Sequence, residues 1–99
     1  MILRILQLKD NDDLRAYYFA SLDLLKDLNL EVDINNYDVV YVDNDFNLKS
    51  KDILEEIYIL FQGQKPISYT GHSLSVADII ELDGEQYYVD SYGFEKLKK

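Results

Sequence analysis

The chain has 99 residues, no cysteine and a formal net charge of −9 at pH 7. That length predicts one domain over 1–99, able to bury a single core without metal or disulfide, and the missing cysteine excludes a disulfide framework, a thiolate nucleophile and a cysteine-based zinc site. The negative balance disfavours direct contact with nucleic acid or anionic membranes and favours basic partners, the commonest being nucleic-acid-binding proteins.

Apolar residues make up 47% of the chain, which is ordinary for a globular domain and too much for a disordered acidic tail. No run approaches the ~20 apolar residues of a membrane span. Met1–Leu6 is too short for a signal peptide and has no small-residue cleavage site, so a cytoplasmic location is expected.

Ile2–Leu8 is apolar nearly throughout and predicts a strand. Lys9–Asp13 is a polar loop. From Leu14 to Leu28 two readings are open. Leu14, Tyr17, Tyr18, Leu22, Leu25 and Leu28 keep the spacing of one long helix. The preferred reading has a short strand over Ala16–Ala20, then a helix capped by Ser21 with Leu22, Leu25 and Leu28 facing inward. Asn35-Asn36 marks a turn, and the β-branched and aromatic run Asp38–Val42 predicts a strand ended by Asp43-Asn44-Asp45.

Ser50 is placed to cap a second helix over Lys51–Phe61, with Asp52 in its first turn. Its apolar set is Ile53, Leu54, Ile57, Tyr58, Leu60 and Phe61, and Gln62-Gly63-Gln64 followed by Pro66 stops it. Ser75–Asp78 predicts one helical turn with a capping arrangement. Ile79–Leu82, Asp83-Gly84 and Glu85–Val89 predict a β-hairpin with a type I′ turn. Glu95–Lys99 is a basic tail expected to fray. The pattern as a whole is α+β: two helices packed on a mainly antiparallel sheet with a C-terminal hairpin.

Gly71-His72-Ser73-Leu74-Ser75-Val76-Ala77-Asp78-Ile79-Ile80, followed by Tyr87–Phe94, resembles the YodL-like domain. Tyr37–Tyr41 is similar to that family's central strand, Leu54–Tyr58 with Phe61 to its helix, and Phe19–Leu25 to an earlier aromatic-plus-helix segment. The family occurs in Firmicutes phages and conjugative elements, often in multidomain proteins beside anti-restriction modules. The resemblance therefore implies a counter-defence setting in a bacterial host and brings no catalytic residues or cofactor. A free-standing acidic domain of this setting resembles anti-CRISPR proteins in size and charge.

The site candidates are few. His72 is the only histidine, with no cysteine to join it in a metal site and no nucleophile elbow around Ser73 or Ser75; it is expected to bond locally and fix the loop before the hairpin. Asp78 and Asp90 flank the hairpin, where short Asp side chains cap turns, Asp90 taking N–H groups of Ser91–Gly93. Asp43, Asn44, Asp45 and Asn47 fail as an EF-hand loop, because Leu48 and Leu54 stand where a glycine and a glutamate are required. Of the nine tyrosines, Tyr41, Tyr58 and one of Tyr87 and Tyr88 are expected to be packed. Tyr17, Tyr69 and Tyr92 are expected to be exposed, and Gly93 to take a positive φ.

The acidic half carries the sharpest expectation. Residues 10–56 hold thirteen carboxylates against four cations (Arg15, Lys26, Lys49, Lys51), an excess of nine, while the remaining six acids and six bases cancel. DNA presents about one charge per ~1.7 Å of axis, which a dense carboxylate row can imitate. Asp38, Asp43, Asp45, Asp52, Glu55 and Glu56 are the candidate partner-binding residues, forming one patch if the second helix packs beside the central strand. The expected activity is non-enzymatic: binding a nucleic-acid-handling defence protein, above all a type II CRISPR effector (Cas9), and blocking guide RNA or DNA. The alternatives are a non-inhibitory interaction module of a conjugation or replication complex, and an enzyme built on His72, Asp78 and Asp90.

Overall fold

The computed structural model describes residues 1–63, 66 and 69–97. Five strands form one antiparallel sheet: β1 (Leu3–Leu8), β2 (Tyr37–Asp43), β3 (Ile79–Leu82), β4 (Glu85–Val89) and β5 (Phe94–Lys96), in spatial order β2-β1-β3-β4-β5. The α-helices are α1 (Leu22–Asp27) and α2 (Ile53–Gly63), and 3₁₀ segments cover Asp12–Tyr17 and Ile34–Asn36.

The apolar character of β1 follows from its position. Leu3 and Ile5 point to one face, where they meet Ile57 and Phe61 of α2, Phe46, Leu74 and Ile80. Leu6 and Leu8 point to the other, where they meet Leu25 of α1, Tyr37, Ile79 and Tyr88. Alternation along a strand sends neighbours to opposite faces, so the sheet is covered on both sides and the expected single core is two. Each fully buried Leu, Ile or Phe stabilises by about 1.5–3 kcal/mol. Between Ile5 and Leu6 the β1–β2 register shifts, leaving Val40 as an extra residue in a bulge. Val40 and Tyr41 therefore both pack toward the α2 side.

The type I′ hairpin forms as expected, with Asp83 at φ 49° and Gly84 at φ 87°. Ser21 caps α1 by accepting Leu24 N–H at 3.1 Å, and Ser50 accepts Asp52 N–H at 3.1 Å, so α2 begins at Ile53 rather than Lys51. Gly63 is the last helical residue, and Gln64 lies outside the described residues.

Five expectations are corrected. Ala16–Ala20 is not a strand: Asn11 caps a 3₁₀ segment through Asp13 N–H, and Phe19 turns the chain with φ 56°. β1 already has β2 and β3 on its two sides, so no sheet position adjoining it was open. Leu28 is 49% exposed, because α1 ends before it and Leu30 takes the inward place. Leu60 is 43% exposed; at 100° per residue it stands at the edge of the stripe of Ile53, Leu54, Ile57 and Phe61, about 75° from its centre. Ser75–Asp78 is a turn but not a helical one, since Ala77 has φ 82°. The tail from Glu95 begins in a strand: Gly93, at φ 68°, closes a turn with Asp90, and Phe94–Lys96 pairs with β4. Lys98 and Lys99 lie outside the described residues.

Candidate functional site

Five of the six candidate acids are exposed and Asp43 is half-buried, and none forms an ion pair with a cation among the described residues. The topology divides them. Asp38 lies at the start of β2, opposite Gln7 of β1, and Asp43 at its end, opposite Leu3. Asp43 Oδ1 accepts Asp45 N–H at 3.0 Å, so these two form a tight pair. Burial raises the pKa of the neighbouring Tyr41 phenol, and the charge and hydrogen bond of Asp43 raise it further.

Asp52 and Glu55 are elsewhere. With Lys51, Ile53, Leu54, Gly93 and Phe94 they line a shallow depression of 310 Å³ beside β5. The Tyr58 ring meets Phe94 edge-on at 6.3 Å between centroids, and the Phe61 ring meets Tyr41 at 5.1 Å. Helix α2 therefore crosses the sheet from the β5 edge to the β2 edge. β2 and β5 are the outermost strands, four spacings or ~19 Å apart. The six acids thus form separate groups on two edges rather than one row. Glu55 and Glu56 also sit in the first turn of α2, where the helix dipole favours a negative charge.

Of the residues of the enzymatic alternative, His72 and Asp78 meet around Gln7, while Asp90 bonds elsewhere. Asp90 Oδ1 accepts Ser91 N–H at 2.8 Å and Leu22 N–H at 3.1 Å, which joins the hairpin to the start of α1. Asp78 is buried on the sheet side of the 69–78 loop, 3% exposed. Its Oδ2 accepts Gln7 Nε2 at 3.0 Å and Ser75 N–H at 2.8 Å. Gln7 also accepts His72 N–H through Oε1 at 3.1 Å and donates to His72 O at 2.9 Å and Tyr69 Oη at 3.1 Å. His72 Nδ1 faces Ser73 O at 2.7 Å, which requires a proton on Nδ1. Burial raises the Asp78 carboxyl to about 6, against the lowering effects of Ser75, His72 and Gln7. The carboxyl is thus hydrogen-bonded to groups of the chain itself. The arrangement ties β1 to the loop before β3, the local role expected of His72. Tyr69, expected outside, is 9% exposed because its hydroxyl joins this cluster while its ring packs on Phe61 at 5.4 Å. Burial raises its pKa, and the Asp78 charge adds to this. Among the described residues no group of three His, Asp or Glu side chains is placed to hold a metal, and no helix is long and apolar enough to cross a membrane.

One broad concavity was not foreseen. It lies on the α1 side of the sheet, measures 1210 Å³, and runs between α1 and the returning segment 30–34. Its shape comes from the end of α1. Asn29, at φ 61°, donates to Lys26 O at 3.0 Å, and Leu30 donates to Leu25 O at 2.8 Å. These are the two bonds of a Schellman motif, which reverses the chain and sets Leu30 against Leu25. An Asn directly after an apolar helical pattern is the sequence signal for it.

Comparison with known proteins adds one finding. The sequence profile of the YodL-like domain matches residues 2–99. No curated protein and no solved structure matches the chain.

Proposed function

This chain belongs to the YodL-like domain family, and from that premise we propose that it is a non-catalytic counter-defence protein of a mobile element. It acts by occupying a basic surface of a nucleic-acid-handling effector. A type II CRISPR nuclease is the leading partner, because its guide–target duplex runs in a positively charged channel. The supporting observation is that the acids of the 10–56 half stay at the surface with almost no internal neutralisation. Arg15 with Asp12, at 3.3 Å, is the one ion pair there among the described residues. Such a surface speeds association with a basic groove, by orders of magnitude at low salt.

The division of the six acids between two edges favours several contact points over imitation of one continuous phosphate row. The test is an order-of-addition cleavage assay with a Cas9-type nuclease. The protein is added before guide RNA, after guide RNA or after DNA, at about 50 and 300 mM salt, where the Debye length is roughly 14 and 6 Å. Inhibition that depends on order and weakens at least about tenfold at the higher salt is expected. A folded protein that inhibits at no order refutes the reading for that nuclease.

A second reading, an interaction module of a conjugation or replication complex, draws on the apolar groove beside α1. Binding through that groove would resist salt better than binding through acids alone.

A further inference from the structure

We propose that the groove between α1 and residues 30–34 is a docking site for a basic amphipathic helix of a partner protein. This deepens the reading that the chain works by binding, and it does not require the partner to be a nuclease. The groove is lined by the apolar side chains of Tyr17, Leu22, Leu25, Leu30, Val32 and Leu97. Leu22, Leu30, Val32 and Leu97 are half-buried, covered on one side by the protein and open on the other. Ile34, 40% exposed, lines the groove as well, and the exposed Leu24 and Leu28 belong to α1 and its end. Apolar surface of this kind, rimmed by charge, marks an interaction site.

The rim decides the occupant. Residues 10–33 hold seven acids (Asp10, Asp12, Asp13, Asp23, Asp27, Glu31, Asp33) and two bases (Arg15, Lys26). Glu31, Asp33 and Lys26 stand on the groove itself, two acids against one base, and none of them forms an ion pair among the described residues. An apolar channel under an acidic rim complements a helix with an apolar stripe flanked by Lys or Arg. Size agrees: a helix about 10 Å across with 1.5 Å rise takes up ~120 Å³ per residue, so the volume matches about ten residues, or roughly three turns. The acidic rim opposes an anionic lipid surface.

The probe is a synthetic peptide of about 14 residues carrying Leu and Lys at helical spacing, with a Leu/Glu counterpart as control. Binding to the full chain is read by fluorescence anisotropy, and its location by backbone amide shifts of ¹⁵N-labelled protein. The Leu/Lys peptide is expected to bind and to shift amides of residues 22–34 and Leu97, while the Leu/Glu peptide does not bind. Glu31→Lys with Asp33→Lys should weaken binding roughly tenfold or more, whereas Asp52→Lys with Glu55→Lys, the same change of charge beside β5, should alter it less than about twofold. Val32→Ser should weaken it with the charge unchanged.

Equal loss in both double variants would reduce the effect to overall charge and overturn the proposal. So would shifts centred on residues 38–56, or no binding by the wild-type chain. Shift mapping uses the wild-type protein, so a variant that misfolds does not remove the test. Peptide binding without nuclease inhibition would refute the effector reading alone, and nuclease inhibition without peptide binding would refute the groove alone.

Discussion

Asp78 is a buried carboxylate in no ion pair among the described residues, and this has a consequence that can be measured. Its carboxyl rises from an ordinary 3.8 to about 6 on folding, chiefly through loss of hydration. Below 3.8 both states hold the proton, and the group leaves stability unchanged. Between 4 and 6 the folded state holds the proton more tightly than the unfolded state, so stability falls as pH rises. Above 6 the full cost is present. Two pH units at 1.36 kcal/mol each give about 3 kcal/mol, a large share of the ~5–15 kcal/mol that holds a domain of this size together. Asp78→Asn removes the ionisation and keeps an oxygen to accept from Gln7 and Ser75. Urea unfolding of both proteins should therefore show the variant gaining on wild type by about 3 kcal/mol between pH 4 and 7. The other carboxylates are common to both proteins and cancel in the difference. Tyr37, Tyr69 and Tyr88, which the Asp78 charge also raises, stay neutral throughout this window. His72 favours the ionised carboxyl, so the same pair is measured in a His72→Gln background. A difference that is flat with pH, or that shrinks as pH rises, would refute the assignment of a costly buried charge at Asp78.

Further expectations concern the same architecture. A Cβ at Gly71 would lie 2.0 Å from Gln7 Oε1, so Gly71→Ala should cost about 1–3 kcal/mol in chemical unfolding, and Gln7→Ala should relieve part of that cost in the double variant. Asn29 holds a left-handed conformation; Asn29→Gly should leave thermal stability equal or slightly higher, while Asn29→Ala should lower it by about 1 kcal/mol. Phe61→Ala removes the ring that packs on both Tyr41 and Tyr69, and a loss of about 3–5 kcal/mol is expected in urea titration. Tyr88→Phe withdraws the hydrogen bond to Ala20 O at 2.7 Å and should cost about 1–3 kcal/mol by the same measurement.

Local chemistry made much of the fold legible. Asp83-Gly84 fixed the hairpin because few other pairs tolerate two positive φ angles in succession. Ser21 and Ser50 marked helix starts because their hydroxyls accept nearby N–H groups. What stayed hidden depends on contacts distant in sequence. Leu28 keeps the helical period of Leu22 and Leu25, and only the reversal at Asn29 sends Leu30 inward in its place. Phe19 adopts φ 56° although bulky residues avoid that region, and it is 69% exposed. Gln7 shares a strand face with Leu3 and Ile5, and a polar residue at such a position is the one signal that a buried network lies opposite. The acids were countable in the sequence, but their separation was not. It follows from α2 crossing to the β5 edge, which no local pattern encodes.

The strand order also sets a timetable for the nascent chain. β1 leaves the ribosome first, yet it is an inner strand whose partners are residues 37–43 and 79–82. The second partner follows roughly seventy residues later, a wait of about 4–14 s at ~5–20 residues per second. Throughout that interval Leu3, Ile5, Leu6 and Leu8, destined for the apolar contacts of both layers, have neither face covered. Pairing so remote in sequence slows folding. Newly made chains of this protein are therefore expected to depend on holdase chaperones at their amino-terminal strand until the β3–β4 hairpin emerges.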